Sequence, residues 1–198
     1  MDIEEKGLKY LLEGEFKKAS RLYLKNNLEY EYGLSELLKG NLKTARAVWF
    51  SLDDDKSPII CWGKTLLGII EETYDYTPGY LEVKNYFECD INLLIIAKQY
   101  KFIDTIINNI NFLANANCEA YKYLGRVLFA HGYYQLSYKF LMAGLEVCPD
   151  DPEADFLLAL LHLTVDEVDN AKLHLERVLK VEPEYYPALK YLSKIKNN

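Results

Sequence analysis

The chain has 198 residues, 50% of them hydrophobic and 27% charged, so it is globular rather than disordered and long enough for one domain or two small ones. Its 23 Lys and Arg oppose 30 Asp and Glu, and a net charge of −7 weighs against nonspecific phosphate binding, so no nucleic acid is expected as a partner. No apolar run reaches the roughly 20 residues of a membrane span, and the opening Met-Asp-Ile-Glu-Glu-Lys is too acidic for a signal peptide, so no membrane insertion and a cytoplasmic location are expected. The unusual feature is aromatic: 17 Tyr stand against 8 Phe and 2 Trp.

Glycine spacing organises the first elements. Gly7 and Gly14 are seven apart, and so are Gly33 and Gly40. Behind each second glycine an apolar residue follows two positions on (Phe16, Leu42), a small one at five (Ala19, Ala45) and a large one at nine (Tyr23, Trp49). The pattern returns at Gly125, Gly132, Tyr134, Ser137 and Leu141. Such self-similarity is the signature of a repeat architecture. It suits a helix-turn-helix unit. Small residues at Gly125 and Ser137 let two antiparallel helices approach closely, and Gly132 supplies the positive φ that ends one helix before the next begins. Residues 1–57 therefore read as two shortened, divergent helix pairs.

Residues 58–117 read as atypical helix pairs continuing the stack. Ile59 to Thr73 carries Trp62, Leu66, Ile69 and Ile70 at helical spacing. The stretch Glu72 to Thr77 is expected to be a longer loop. A short helix from Pro78 to about Glu88 follows, then a pair over 91–100 and 102–114 that lacks glycine. Ser57-Pro58, Thr77-Pro78 and Asp151-Pro152 each read as an N-cap with proline at the first helical position. Pro149, Pro183 and Pro187 fall in turns, and no stretch shows convincing strand alternation.

Residues 118–183 form two well-matched units. In the second, Ala159, Asp166, Val168, Ala171 and Leu175 stand 34 residues after their counterparts. Residues 185–197 read as a capping helix with Ala188, Leu189, Tyr191, Leu192 and Ile195 on one face.

The run Tyr121-x-x-Leu124-Gly125-x-x-Leu128, then Gly132-x-Tyr134-x-x-Ser137, Leu141, Gly144 and Pro149, resembles the tetratricopeptide repeat. The resemblance implies an all-α fold: a right-handed superhelical solenoid of antiparallel helix pairs, here a single domain over 1–198 closed by the C-terminal helix. It also implies peptide or protein binding on the concave face, not catalysis. By alignment to the family, the groove candidates are Lys122, Tyr123, Arg126 and Phe129, with Glu119, in the first strong copy. In the second they are Phe156, Leu160 and Leu163, with Leu157 and Thr164. In the last helix they are Lys190, Tyr191 and Lys194. The family's carboxylate clamp is not expected, because Leu157 stands where that clamp wants Asn, and Pro187 and Tyr191 stand where it wants Lys and Arg. An apolar, aromatic floor with basic edges suits an apolar or amphipathic helical segment of a partner protein. The same surface could instead join copies of the chain as a homo-oligomer.

Little else carries chemistry. Cys61, Cys89, Cys118 and Cys148 lie 28, 29 and 30 residues apart with no CxxC pair, so they read as buried, reduced thiols rather than metal ligands. His131, His162 and His174 lack metal-pair spacing and read as structural. Asp150-Asp151 and Glu71-Glu72 read as caps or solvated faces, and Asp53-Asp54-Asp55 lacks the alternating ligands of a calcium loop. Lys17, Lys18, Arg21 and Lys25 read as a solvated outer face. No nucleophile elbow, phosphate loop or dinucleotide fingerprint occurs. No cofactor, metal or enzymatic activity is expected.

Overall fold

A seven-residue glycine spacing puts one small residue inside a helix and one at its end, and the chain uses both. The computed structural model describes residues 2–52 and 57–196. Among them every regular element is helical and none is a strand, so the fold is all-α as expected. The chain divides into two compact units, Met1–Asn117 and Cys118–Asn198, where the sequence reading drew a single domain. The second unit begins where the well-matched repeats begin. Asp53-Asp54-Asp55 and the last residue assigned to the capping helix lie outside the described residues.

The first unit opens with the hairpins α1 (Ile3–Leu12) with α2 (Phe16–Lys25) and α3 (Glu29–Leu38) with α4 (Leu42–Ser51). A capping box starts α1: the Glu5 N–H donates to Asp2 Oδ1 at 2.7 Å and the Asp2 N–H to Glu5 Oε2 at 3.2 Å. Gly14 and Gly40 take φ of +74° and +83° at the turns. A Cβ on Gly7 would run into the Tyr23 ring, and one on Gly33 into Trp49. The large residue at the ninth position thus covers the glycine of its own hairpin. Trp49 does more: Gly63, on the next helix, flanks its other side, with an added Cβ only 2.8 Å from Trp49 Cδ2.

That helix is α5 (Pro58–Ile70), buried along nearly its whole length. Glu72 and Tyr74 take φ near +55° in the expected loop behind it (57° and 52°). The next helix starts at Tyr80 with Gly79 as its cap, not at Pro78. Then α6 (Tyr80–Glu82), a π-helical turn (Val83–Phe87) and α7 (Glu88–Ile96) follow without interruption. The sequence reading broke this stretch between 88 and 91, but no glycine or proline stands there to break it. The real break falls at 97–99, where Lys98 takes φ of 57° in the role glycine plays elsewhere. After α8 (Tyr100–Asn108) a second break at Asn109 separates α9 (Ile110–Ala116), so the expected helix over 102–114 is two.

The core of this unit is aromatic. Tyr30 stacks on Trp49 at 5.6 Å, and Trp62 meets Phe87 edge-on at 6.1 Å. Asp90 is buried among them and accepts hydrogen bonds from Trp62 Nε1 at 2.7 Å and from the Tyr30 hydroxyl at 2.8 Å. Glu36, also buried, ties α2 to α3 by accepting from Ser20 at 2.6 Å and from Asn41 at 2.8 Å.

The second unit contains α10 (Ala120–Ala130) with α11 (Tyr134–Val147), α12 (Pro152–Thr164) with α13 (Val168–Val181), and α14 (Tyr186–Lys196). Gly125 lets Leu141 approach, and the Ser137 hydroxyl donates to the Gly125 carbonyl at 2.7 Å. In the hairpin without glycines, Ala159 and Leu175 pack in one cluster, and Asp166 takes φ of 58° where Gly132 takes 78°. Asp is one of the few residues that adopts this conformation at small cost. Asp151 caps α12 through Oδ1, which accepts from Glu153 N and Ala154 N at 3.0 Å. Ala188 and Leu192 of α14 complete the cluster of Ala159, Leu175 and Val178.

The thiols depart from the expectation. Cys118 and Cys148 form a disulfide with Cα atoms 6.8 Å apart, Cys61 is half-buried and Cys89 is exposed. A spacing of 30 residues spans a whole hairpin, so it returns the second cysteine to the start of the first helix. Among the described residues no helix is long and apolar enough to cross a membrane.

Candidate functional site

The groove candidates of α10 lie at 122, 123, 126 and 129, on one face at helical spacing. Lys122 is buried, with 9% of its side chain exposed, because acids surround it. Its Nζ lies 2.8 Å from Asp151, 3.1 Å from Glu119 and 3.4 Å from Glu153. Burial disfavours the ammonium, but the hydrogen bonds to Asp151 and Glu119 outweigh it and hold Lys122 well above the usual lysine range. The Tyr123 hydroxyl donates to Glu119 at 2.5 Å. Arg126 pairs with Glu153 and sits 5.8 Å from the Tyr123 ring. The two cations thus belong to a network that includes three carboxylates. They are not the free basic edge that the sequence suggested. Phe129 packs against the cluster of Leu141, Leu145, Ala154, Leu157, Leu158 and Leu161.

The α12 candidates separate by face. Leu157 is core, which removes it from the groove, whereas Phe156, Leu160 and Leu163 are half-buried and Thr164 is exposed. The split follows from a helix that is apolar nearly all round, whose alignment to a family does not show which apolar side faces inward. Phe156 touches Tyr185 at 5.4 Å and Tyr191 at 5.8 Å between ring centres. Tyr191 is half-buried, Lys190 and Lys194 are exposed, and Lys194 Nζ lies 5.5 Å from the Tyr191 ring.

No protein-family model and no curated protein matches the sequence.

The geometry therefore rests on the residues alone. Two patches result. One is the Lys122–Arg126 network, rooted in the first turn of α12 through Asp151 and Glu153. The other is the aromatic trio Phe156, Tyr185 and Tyr191, with Lys190 and Lys194 beside it. Tyr185 connects them electrostatically: burial, then the Glu153, Glu182 and Asp151 carboxylates, push its hydroxyl above the usual tyrosine range. Sequence reasoning missed Tyr185, Asp151 and Glu153. Asp151 makes the cap that the sequence pattern predicts, but its second oxygen also faces Lys122. Among the described residues no group of three His, Cys, Asp or Glu side chains could hold a metal ion. The arrangement offers apolar contact and orientation by hydroxyl and ammonium groups.

Proposed function

We propose that the chain is a non-catalytic protein–protein interaction module of the tetratricopeptide-like kind. In this reading its hairpins stack in the right-handed manner of that family, and the face shared by α10, α12 and α14 takes a segment of a partner protein. The observation that carries the reading is the half-buried trio Phe156, Tyr185 and Tyr191. These rings are packed from below by Ala188 and Leu192 yet keep part of their surface in water. Aromatic rings bury large area at low conformational cost, which suits a docking surface. Lys122 and Arg126 position this face through their acids rather than offering charge to a ligand. Among the described residues of this face, Lys190 and Lys194 are exposed and make no ion pair, so the segment that fits is an amphipathic helix with apolar residues flanked by acids.

The experiment is capture of partners from the source cell by the immobilised chain, in parallel with a Phe156→Glu variant. The module predicts that the same proteins are retained by the parent and lost by the variant, with helicity by circular dichroism unchanged. Retention by both would refute the assignment of the face. Light scattering on the parent at tens of micromolar reads the competing possibility, in which a second copy of the chain occupies the surface.

A further inference from the structure

A second site lies on a different part of the second unit. We propose that the cleft between α11 and the turn joining α12 to α13 receives an arginine side chain of a partner peptide. The cleft has a volume of about 370 Å³, enough for one long side chain with its flanking backbone. Tyr134 and Tyr138, four residues apart on α11 and both exposed, form one wall. Leu161 and Val165 supply apolar floor, and His162 and Glu167 close the end.

The polar end is built rather than incidental. The His162 ring stacks on His174 at 5.2 Å and takes the edge of Tyr138 at 5.8 Å, which fixes its plane. His174 is anchored in turn by Asp155, 2.8 Å from its Nδ1. His162 Nδ1 then meets Glu167 Oε2 at 2.7 Å, and Asn170 Nδ2 donates to the same oxygen at 3.0 Å. Both bonds fall on Oε2, and Oε1 accepts none from the described residues. Glu167 is thus held in place while half its side chain stays in water. Hydrogen bonds from Asn170 and His162 also hold it below the usual carboxylate range, so it is charged at neutral pH.

Charge and shape select the occupant. Asp166 and Asp169 flank Glu167 and are exposed, and no lysine or arginine lines the cleft. A cation is therefore favoured. A guanidinium lies flat on a tyrosine face and pairs with a carboxylate edge, while its three-carbon stem covers Leu161 and Val165. An ammonium offers no plane to stack. Of the residues aligned to the α10, α12 and α14 face only Thr164 also lines this cleft, and none of Phe156, Tyr185, Tyr191, Lys190 and Lys194 does, so the two sites are tested by separate variants.

The test is a titration of the full chain with N-acetyl-arginine methylamide at neutral pH and low salt, read from the His162 and Tyr138 ring resonances by NMR. Saturable shifts with a millimolar Kd are expected, with weaker binding of the lysine analogue and still weaker binding of the norleucine analogue. Glu167→Gln is expected to weaken binding about tenfold, the equivalent of roughly 1.4 kcal/mol. Tyr138→Leu removes the stacking wall without touching the carboxylate and is expected to weaken it similarly, which keeps the test decisive if the Glu167 variant loses helicity. Equal binding of the norleucine probe, absence of any saturable shift, or parental affinity in Tyr138→Leu would each overturn the assignment.

Discussion

Replacing Asp90 by Asn is expected to stabilise the protein at neutral pH and to remove a pH dependence that the parent carries. Asp90 is buried, 3% exposed, between the Trp62 indole and the Tyr30 hydroxyl. Burial raises its pKa from 3.8 to about 6, against the two hydrogen bonds, which favour the charged form. The folded state therefore binds a proton more tightly than the unfolded chain does. Stability from this group is fully present below the unfolded value near 4 and is lost as the pH rises through 6. The difference of about two pH units corresponds to roughly 3 kcal/mol between the acid and neutral limits, of which about 1 kcal/mol develops between pH 7 and pH 5. An Asn side chain keeps one carbonyl oxygen to accept from Trp62 and Tyr30 and has no charge to desolvate.

The assay is urea unfolding of parent and variant at half-unit steps from pH 4.5 to pH 7.5, read by circular dichroism. The quantity of interest is the stability of the parent minus that of the variant. It cancels other carboxylates, including Glu36, whose Lys39, Ser20 and Asn41 hydrogen bonds outweigh its burial and lower its pKa, so that it loses stabilisation as the pH falls. The difference is expected to move in favour of the parent by about 1 kcal/mol between pH 7 and pH 5. A difference that stays flat over that range would show that Asp90 titrates as in the unfolded chain, and the argument from its burial would fail.

Four further outcomes follow from the structure. Gly33→Ala puts a methyl 2.6 Å from Trp49 Cε2 and forces the indole off the Tyr30 carbonyl that it donates to at 3.2 Å, an expected loss of about 2–3 kcal/mol in urea unfolding. Gly14→Ala meets no atom within 4 Å and pays only for its φ of +74°, about 1 kcal/mol, most of which Gly14→Asn should recover. Cys118→Ser opens a loop of 30 residues and is expected to cost about 3.5 kcal/mol, and alkylation without reductant should modify two thiols in the parent, with four reacting after reduction. Lys122→Met leaves Asp151 and Glu119 facing each other without the ammonium and should destabilise the second unit by about 3 kcal/mol, which differential scanning calorimetry would read as a lowered transition.

The hairpins were legible in the sequence because their signal is steric and local. Gly7 with Tyr23, Gly33 with Trp49 and Gly125 with Leu141 are each 16 residues apart, the distance from inside one helix across a short turn to the facing position of the next. A missing side chain on one helix and a large one opposite it are a single packing event, written twice in the chain. The same event survives as Ala159 with Leu175, where an alanine leaves enough room. The middle of the first unit was less legible because its turn uses Lys98 in the left-handed region, a residue with no propensity to mark it. The continuous run from Tyr80 to Ile96 was hidden for a related reason. A π-helical turn inserts one residue and shifts the apolar face, so a strict 3.6-residue period reads it as two helices.

The candidate site was legible only in its residue types, and the reason is long-range pairing. Lys122 and Arg126 are basic in any alignment, but their role depends on Glu153, 27 residues beyond Arg126, and on Asp151, which the N-cap pattern had already explained. Spacing on one helix places a side chain on a face and says nothing of what the next helix brings to it. His162 and His174 make the same point more sharply. Twelve residues apart, on two helices of one hairpin, they show no ligand spacing, yet the turn at Asp166 folds one ring onto the other and sets Glu167 beside them. At these two places charge is used internally, with Lys122 held by Asp151 and Glu119 and His162 by Glu167. On both proposed surfaces an aromatic ring stands beside a charge: Lys194 over Tyr191 on one, and Glu167 with Tyr138 in the cleft on the other. In the two proposals the surfaces carry opposite charge and so would select opposite partners, an acidic helix for the first and a basic side chain for the second, and one unit would then hold two segments without competition between them.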